Sequence, residues 1–95
     1  MKITFDPAKR AATLADRGVD FLDAVKVFEG VTFTQMDDRL DYGEERYQTF
    51  GLLNGRLVMV VWTPRGKDCH VMSMRKCNER EKAAYGHRLG EVRRP

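Results

Sequence analysis

The sequence is short of the features that small secreted, membrane or metal-stapled folds depend on. It has two cysteines, Cys69 and Cys77. Even with His70 and His87 they form neither a C-x-x-C pair nor a zinc-ligand set, so two free thiols and no structural metal are expected. No apolar run approaches the ~20 residues that cross a bilayer, which gives no membrane partner. Met1-Lys2-Ile3 leads straight into a polar, capped segment without a signal-peptide core, and a cytoplasmic address is expected. Repeats and low-complexity stretches are absent. A Ser-His-Asp order, a Walker loop, G-x-G-x-x-G and H-E-x-x-H are also missing, and nothing calls for a cofactor.

What is present bounds the fold. At 95 residues, 42% hydrophobic and 33% charged, the chain has room and apolar content for one folded domain and not for two enzymatic ones. Charge is polarised along it. Residues 1–53 carry 7 Lys/Arg against 10 Asp/Glu, net −3, and residues 54–95 carry 10 against 4, net +6. A basic half of this kind is expected for a phosphate-rich or acidic partner; its ordinary alternative is a solvated Lys/Arg surface.

Local signals order the elements. Ile3-Thr4-Phe5 is a short β-like piece, and Asp6-Pro7 opens a helix that Gly18 stops. Asp20 caps a second helix through Phe21, Leu22, Ala24, Val25 and Phe28, which Gly30 follows. From Val31 the period becomes two. Strands are predicted at Val31–Thr34, Glu45–Leu53, Arg56–Trp62 and Cys69–Arg75. Asn54-Gly55 marks a tight hairpin and residues 63–68 a longer basic turn. Asn78 and Glu81 form a capping-box start for a last helix ending at Gly86 or Gly90. The expectation is an α+β domain: a strand and helical pair over 1–30, an antiparallel sheet of about four strands over 31–76, a C-terminal helix over 77–90 and a frayed tail over 91–95. The helices are expected on one face of the sheet, leaving the other free.

Asp37, Asp38 and Asp41 share a polar loop but lack the alternation and terminal Glu of a calcium loop, so no metal is assigned there. Phe50, Met59, Trp62, Met72 and Met74 read as core. The remaining chemistry lies in Glu44-Glu45-Arg46-Tyr47, Arg65, Ser73, Arg75, Lys76 and Tyr85, with His70 on a strand between them. Across a meander these strand ends can converge. Cutting RNA without a metal needs a base for the 2′-hydroxyl, an acid for the leaving oxygen and cations for the developing charge, and these residue types supply all three. An ordinary cross-strand salt bridge between the Glu and Arg ends is the structural alternative.

The ordered set Asp6-x-x-Lys9, Arg17-Gly18-Val19-x-Phe21-x-x-Ala24, Val27-Phe28, Gly43-Glu44-Glu45-Arg46-Tyr47, Arg65-Gly66 and Ser73-x-Arg75-Lys76, with Glu81 and Tyr85, resembles the BrnT family of toxins from Ile3 to Tyr85. Thr13, Arg17 and Cys77 depart from its pattern, where many relatives carry Asn, His and Ala. The resemblance implies a RelE-like fold and a metal-independent endoribonuclease that arrests translation. It implies neutralisation by a BrnA-like antitoxin with a ribbon-helix-helix domain, DNA contact only through that antitoxin, and a complex that is a dimer of heterodimers. On the matching positions, Arg65, Arg75 and Lys76 would neutralise the scissile phosphate. Glu45, or Glu44 beside it, would be the general base, since alternation turns only one of two strand neighbours toward a site. Arg46 would be a phosphate or structural contact. Tyr85, or else Ser73 or His70, would donate a proton or bind the RNA backbone. The alternatives are a non-catalytic RNA- or protein-binding module and a decayed toxin acting only as co-repressor with its antitoxin.

Overall fold

The computed structural model describes residues 2–39 and 41–91. The predicted tail therefore lies, apart from Glu91, outside the described residues. Asp6 accepts from the Ala8 N–H at 2.9 Å, Pro7 takes the first helical position, and α1 runs Pro7–Arg17. Gly18, at φ +68°, closes it with its N–H on the Leu14 carbonyl at 3.1 Å. Asp20 caps a 3₁₀ turn, Phe21–Asp23, that feeds α2, Ala24–Glu29, so the predicted second helix is α-helical only in its later part.

Among the described residues five strands form one sheet in the order β1-β5-β4-β3-β2: β1 Ile3–Thr4, β2 Thr32–Met36, β3 Tyr47–Leu53, β4 Arg56–Arg65 and β5 Asp68–Lys76. The expectation of about four antiparallel strands is corrected here, because β1 joins the edge of β5 in parallel, Ile3 opposite Cys69. The β3–β4 turn has Asn54 at φ +52° and Gly55 at φ +78°, the left-handed pair a two-residue hairpin needs. The predicted six-residue basic turn shrinks to Gly66-Lys67, with Arg65 opposite Asp68. Pro64 is tolerated inside β4 because β3 pairs only as far as Trp62, so no ladder bond is lost on that side.

Helical elements pack on both faces of the sheet, which corrects the expectation that all of them lie on one face. Phe21, Ala24 and Val27 pack on Val58, Val60, Val71 and Met74, forming the first face. On the second face Phe33, Phe50, Leu57, Met59, Val61 and Cys77 form another cluster, against which Tyr85, Leu89 and Met72 pack. The last helix, α3, spans Glu79–Tyr85 and continues as a 3₁₀ turn, Gly86–Arg88; Asn78 and Glu81 close its capping box. Between β4 and β5 the register shifts: Val61 faces Ser73 but Trp62 faces Val71, so Met72 is an extra, bulged residue. Among the described residues no helix is long and apolar enough to cross a membrane.

Two expectations test this packing. A Cβ on Gly51 would stand 2.8 Å from Val27 Cγ1 and 3.2 Å from Thr32 Cγ2. Gly51→Ala should therefore destabilise the fold by about 1–3 kcal/mol in a denaturant titration. Asp20 takes Arg10 Nε and Nη2 at 2.8 and 3.0 Å and the Leu22 N–H at 3.0 Å. The Arg10 guanidinium and then that N–H hold its carboxyl down at about 2. A depressed carboxyl adds stability that is complete above its unfolded value, about 3.9, and is lost as pH falls through the folded value. Asp20→Asn should be less stable at neutral pH, and its stability should fall less steeply between about pH 4 and 2.

Candidate active site

Alternation from the two clusters assigns each polar side chain to a face. Arg75 pairs with Met59 and lies on the second face; Lys76 pairs with Val58 and lies on the first. A Cβ on Gly18 would be 3.8 Å from Lys76 Nζ, so this ammonium sits at the C-terminus of α1, where the helix dipole favours a cation. Ser73 (opposite Val61) and His70 (opposite Thr63) share the second face with Arg75. His70 Nδ1 is 2.7 Å from Thr4 Oγ1.

Arg75 is fixed by α3. Its Nη1 and Nη2 donate to Glu81 Oε1 and Oε2 at 2.7 and 2.6 Å, while Glu81 also accepts the Asn78 N–H at 3.0 Å. The Glu81 carboxylate raises the Arg75 guanidinium above its ordinary value, and Arg75 holds the Glu81 carboxyl below its own. One acidic residue thus caps the helix and pins a cation. Tyr85 stacks on Phe50 and Phe33, with ring centroids 4.2 and 6.1 Å apart, and its ring is part of the helix-to-sheet packing.

At the other end of this face, Asp37 continues the β2 ladder, its N–H on the Arg46 carbonyl at 2.7 Å. Both side chains therefore project on the second face. Arg39 Nε and Nη2 donate to Asp37 Oδ1 and Oδ2 at 2.7 and 2.8 Å. Arg46 lies over the Tyr42 ring, 3.9 Å from its centroid, and its buried Nε has no acceptor among the described residues. Glu44 reaches Arg46 at 3.8 Å and Arg65 at 3.6 Å. Glu45 turns elsewhere: it accepts the Tyr47 hydroxyl at 2.9 Å, which raises the phenol above its ordinary value. Its carbonyl is held by Thr63 Oγ1 at 2.5 Å.

The structure therefore brings Glu44, Arg46, Arg65, His70, Ser73 and Arg75 onto one face. It does not bring Lys76 or the Glu45 carboxylate there, and it engages Tyr85 in packing. The sequence reading overlooked Asp37, Arg39 and Tyr42 as a unit and the hold of Glu81 on Arg75. The Asp37-Asp38-Arg39 spacing was the available signal for the first. Cys69 and Cys77 are free and buried, and burial pushes both thiols up to about 11, away from thiolate chemistry at neutral pH.

Compared with models of protein families, residues 5–81 match the one described as ribonuclease toxin, BrnT, of type II toxin-antitoxin system. A search of curated proteins returns no match.

Glu81→Gln keeps the size of the cap residue but removes the charge that grips Arg75. It should lower stability by about 1–3 kcal/mol. An unchanged denaturation midpoint would show that docking of α3 does not rely on the pair.

Proposed function

The chain belongs to the BrnT family, ribonuclease toxins of type II toxin–antitoxin systems, and from that premise we propose that it works as one cytoplasmic toxin domain, a metal-independent endoribonuclease that cuts RNA and arrests translation. A type II system supplies an antitoxin partner. In this reading the partner is a BrnA-like ribbon-helix-helix protein that alone contacts DNA, in a dimer of heterodimers.

What supports the catalytic reading is the set of arginines and a carboxylate on one sheet face: Arg46 and Arg65 flanking Glu44, with Arg75 beyond. Guanidinium forks match phosphate oxygens and supply charge where it builds up in the transition state. Glu44 takes the proton from the 2′-hydroxyl as that oxygen bonds to phosphorus. The bond from phosphorus to the 5′-oxygen breaks, and the leaving oxygen takes up a proton. His70, tethered through Nδ1 to Thr4, offers its other ring nitrogen for that step, and Ser73 lies within the same face. The products are a 2′,3′-cyclic phosphate and a 5′-hydroxyl. Glu44 is preferred over Glu45 because it lies between two guanidiniums, whereas Glu45 serves Tyr47. Lys76 and Tyr85 are left with structural duties at α1 and in the second core.

The test is end-labelled RNA incubated in EDTA with the chain freed of antitoxin, beside Arg75→Ala, Glu44→Ala and Glu45→Ala. Cleavage leaving a cyclic phosphate should fall roughly 10²-fold or more in Arg75→Ala and Glu44→Ala. It should change little in Glu45→Ala. Intact RNA with the unaltered chain would overturn cleavage of free RNA and leave a ribosome-dependent nuclease, a binding module or a decayed toxin.

A further inference from the structure

The Asp37–Arg39 pair is built in a way that a surface salt bridge is not. The Asp37 side chain is 0% exposed, whereas that of Arg39 is 59% exposed. Burying a carboxylate is costly unless it is paired and hydrogen-bonded, and such a pair gives little net stability over apolar packing. Here the carboxylate receives two guanidinium N–H groups, with Arg46 alongside in the register. A bidentate grip on a buried anchor fixes the plane of the Arg39 guanidinium while its outer part stays in solvent. Arg39 therefore loses less rotamer freedom on meeting a ligand than a free surface arginine would.

Its position also matters. The row Gln35, Gln48, Val61, Ser73 crosses the second face between the Asp37 end and the Arg75 end. Gln48 and Val61 are 8% and 4% exposed, so the floor of this row is closed. A ligand meets the rims instead, Arg39 on one side and Arg75 on the other. The strand register puts Asp37, which holds Arg39, on one side of this row and Arg75 on the other.

We propose that Arg39, clamped by the buried Asp37, is a phosphate contact for single-stranded RNA, facing Arg75 across this row, and that Asp37 is its positioning residue. The inference rests on the ribonuclease reading above. It adds a residue to the substrate site.

Binding and cutting are measured separately. Binding uses a short, labelled 2′-O-methyl oligoribonucleotide, which lacks the attacking hydroxyl, titrated by fluorescence anisotropy over a salt series. Arg39→Ala should weaken it about tenfold and reduce the slope of log affinity against log salt by roughly 0.7, as for one lost single-strand phosphate contact. Arg39→Lys should keep the slope while losing part of the affinity, because it retains the charge without the fork. Asp37→Asn should weaken binding like Arg39→Ala, and the double variant should be no weaker than either single one. If Asp37→Asn does not fold, the two Arg39 variants carry the test. A folded Arg39→Ala with unchanged affinity and slope overturns the proposal, as does an unaltered chain that fails to bind. Should Arg39→Ala bind and cut normally while Arg75→Ala does not cut, Arg39 falls and the ribonuclease reading stands. Binding that depends on Arg39 without any cleavage would be the reverse.

Discussion

The register between β4 and β5, with the single extra residue at Met72, is the constraint on which the site depends. Residues 57–61 of β4 are buried on both faces, with Leu57, Val58, Met59, Val60 and Val61 at 4% exposure or less. A slip of one residue would exchange the two hydrophobic sets and turn the polar side chains of β5 into the cores. Strict alternation from His70 would put Lys76 on its face and Arg75 on the opposite one. The bulge reverses this, so that Arg75 joins His70 and Ser73 while Lys76 turns to α1.

Covering the second face has its own consequence. Because α3 lies over only part of that face, stacking Tyr85 on Phe33 and Phe50, the same helix that completes the core also supplies Glu81 to the edge of the uncovered part. Stability and site geometry are coupled at this residue, since one carboxylate serves both the helix N-terminus and the cation. Loosening α3 would release Arg75 into many rotamers, and in the proposed reaction a phosphate would then bear the cost of ordering it.

Much of the fold was legible from local chemistry. Asp6-Pro7 with Gly18, Asn54-Gly55, and Asn78 with Glu81 each state a backbone requirement within a few residues, and each appears at its place. The parallel β1 was not legible: two residues carry no period, and the partner lies 66 positions away. Neither was the face chosen by α3, which depends on how the sheet twists and where its apolar positions remain. At the site, residue types were readable and faces were not. Alternation separates Glu44 from Glu45 and Arg75 from Lys76 only once the register and the bulge are known. The Asp37–Arg39 unit was hidden because a run of acids in a loop reads as solvated surface, and burial of one of them is a tertiary fact.

The charge polarity of the chain also takes on a different meaning. Much of the acidity of the first half is engaged internally: Asp6 and Asp20 cap, Asp20 and Asp23 pair with Arg10 and Lys26, and Asp37 holds Arg39. These pairs lie within the first half and leave its net charge of −3 unchanged, so the pairing fixes where its charges sit and does not alter their sum. On the second face the ion pairs divide by geometry. Asp37–Arg39 and Glu81–Arg75 are bidentate at 2.6 to 2.8 Å, whereas Glu44 meets Arg46 and Arg65 only at 3.8 and 3.6 Å. The short pairs set cations in place and have nothing to gain by parting. In the proposed reaction the long ones are those a phosphate would displace, which would free the Glu44 carboxylate to act as the base.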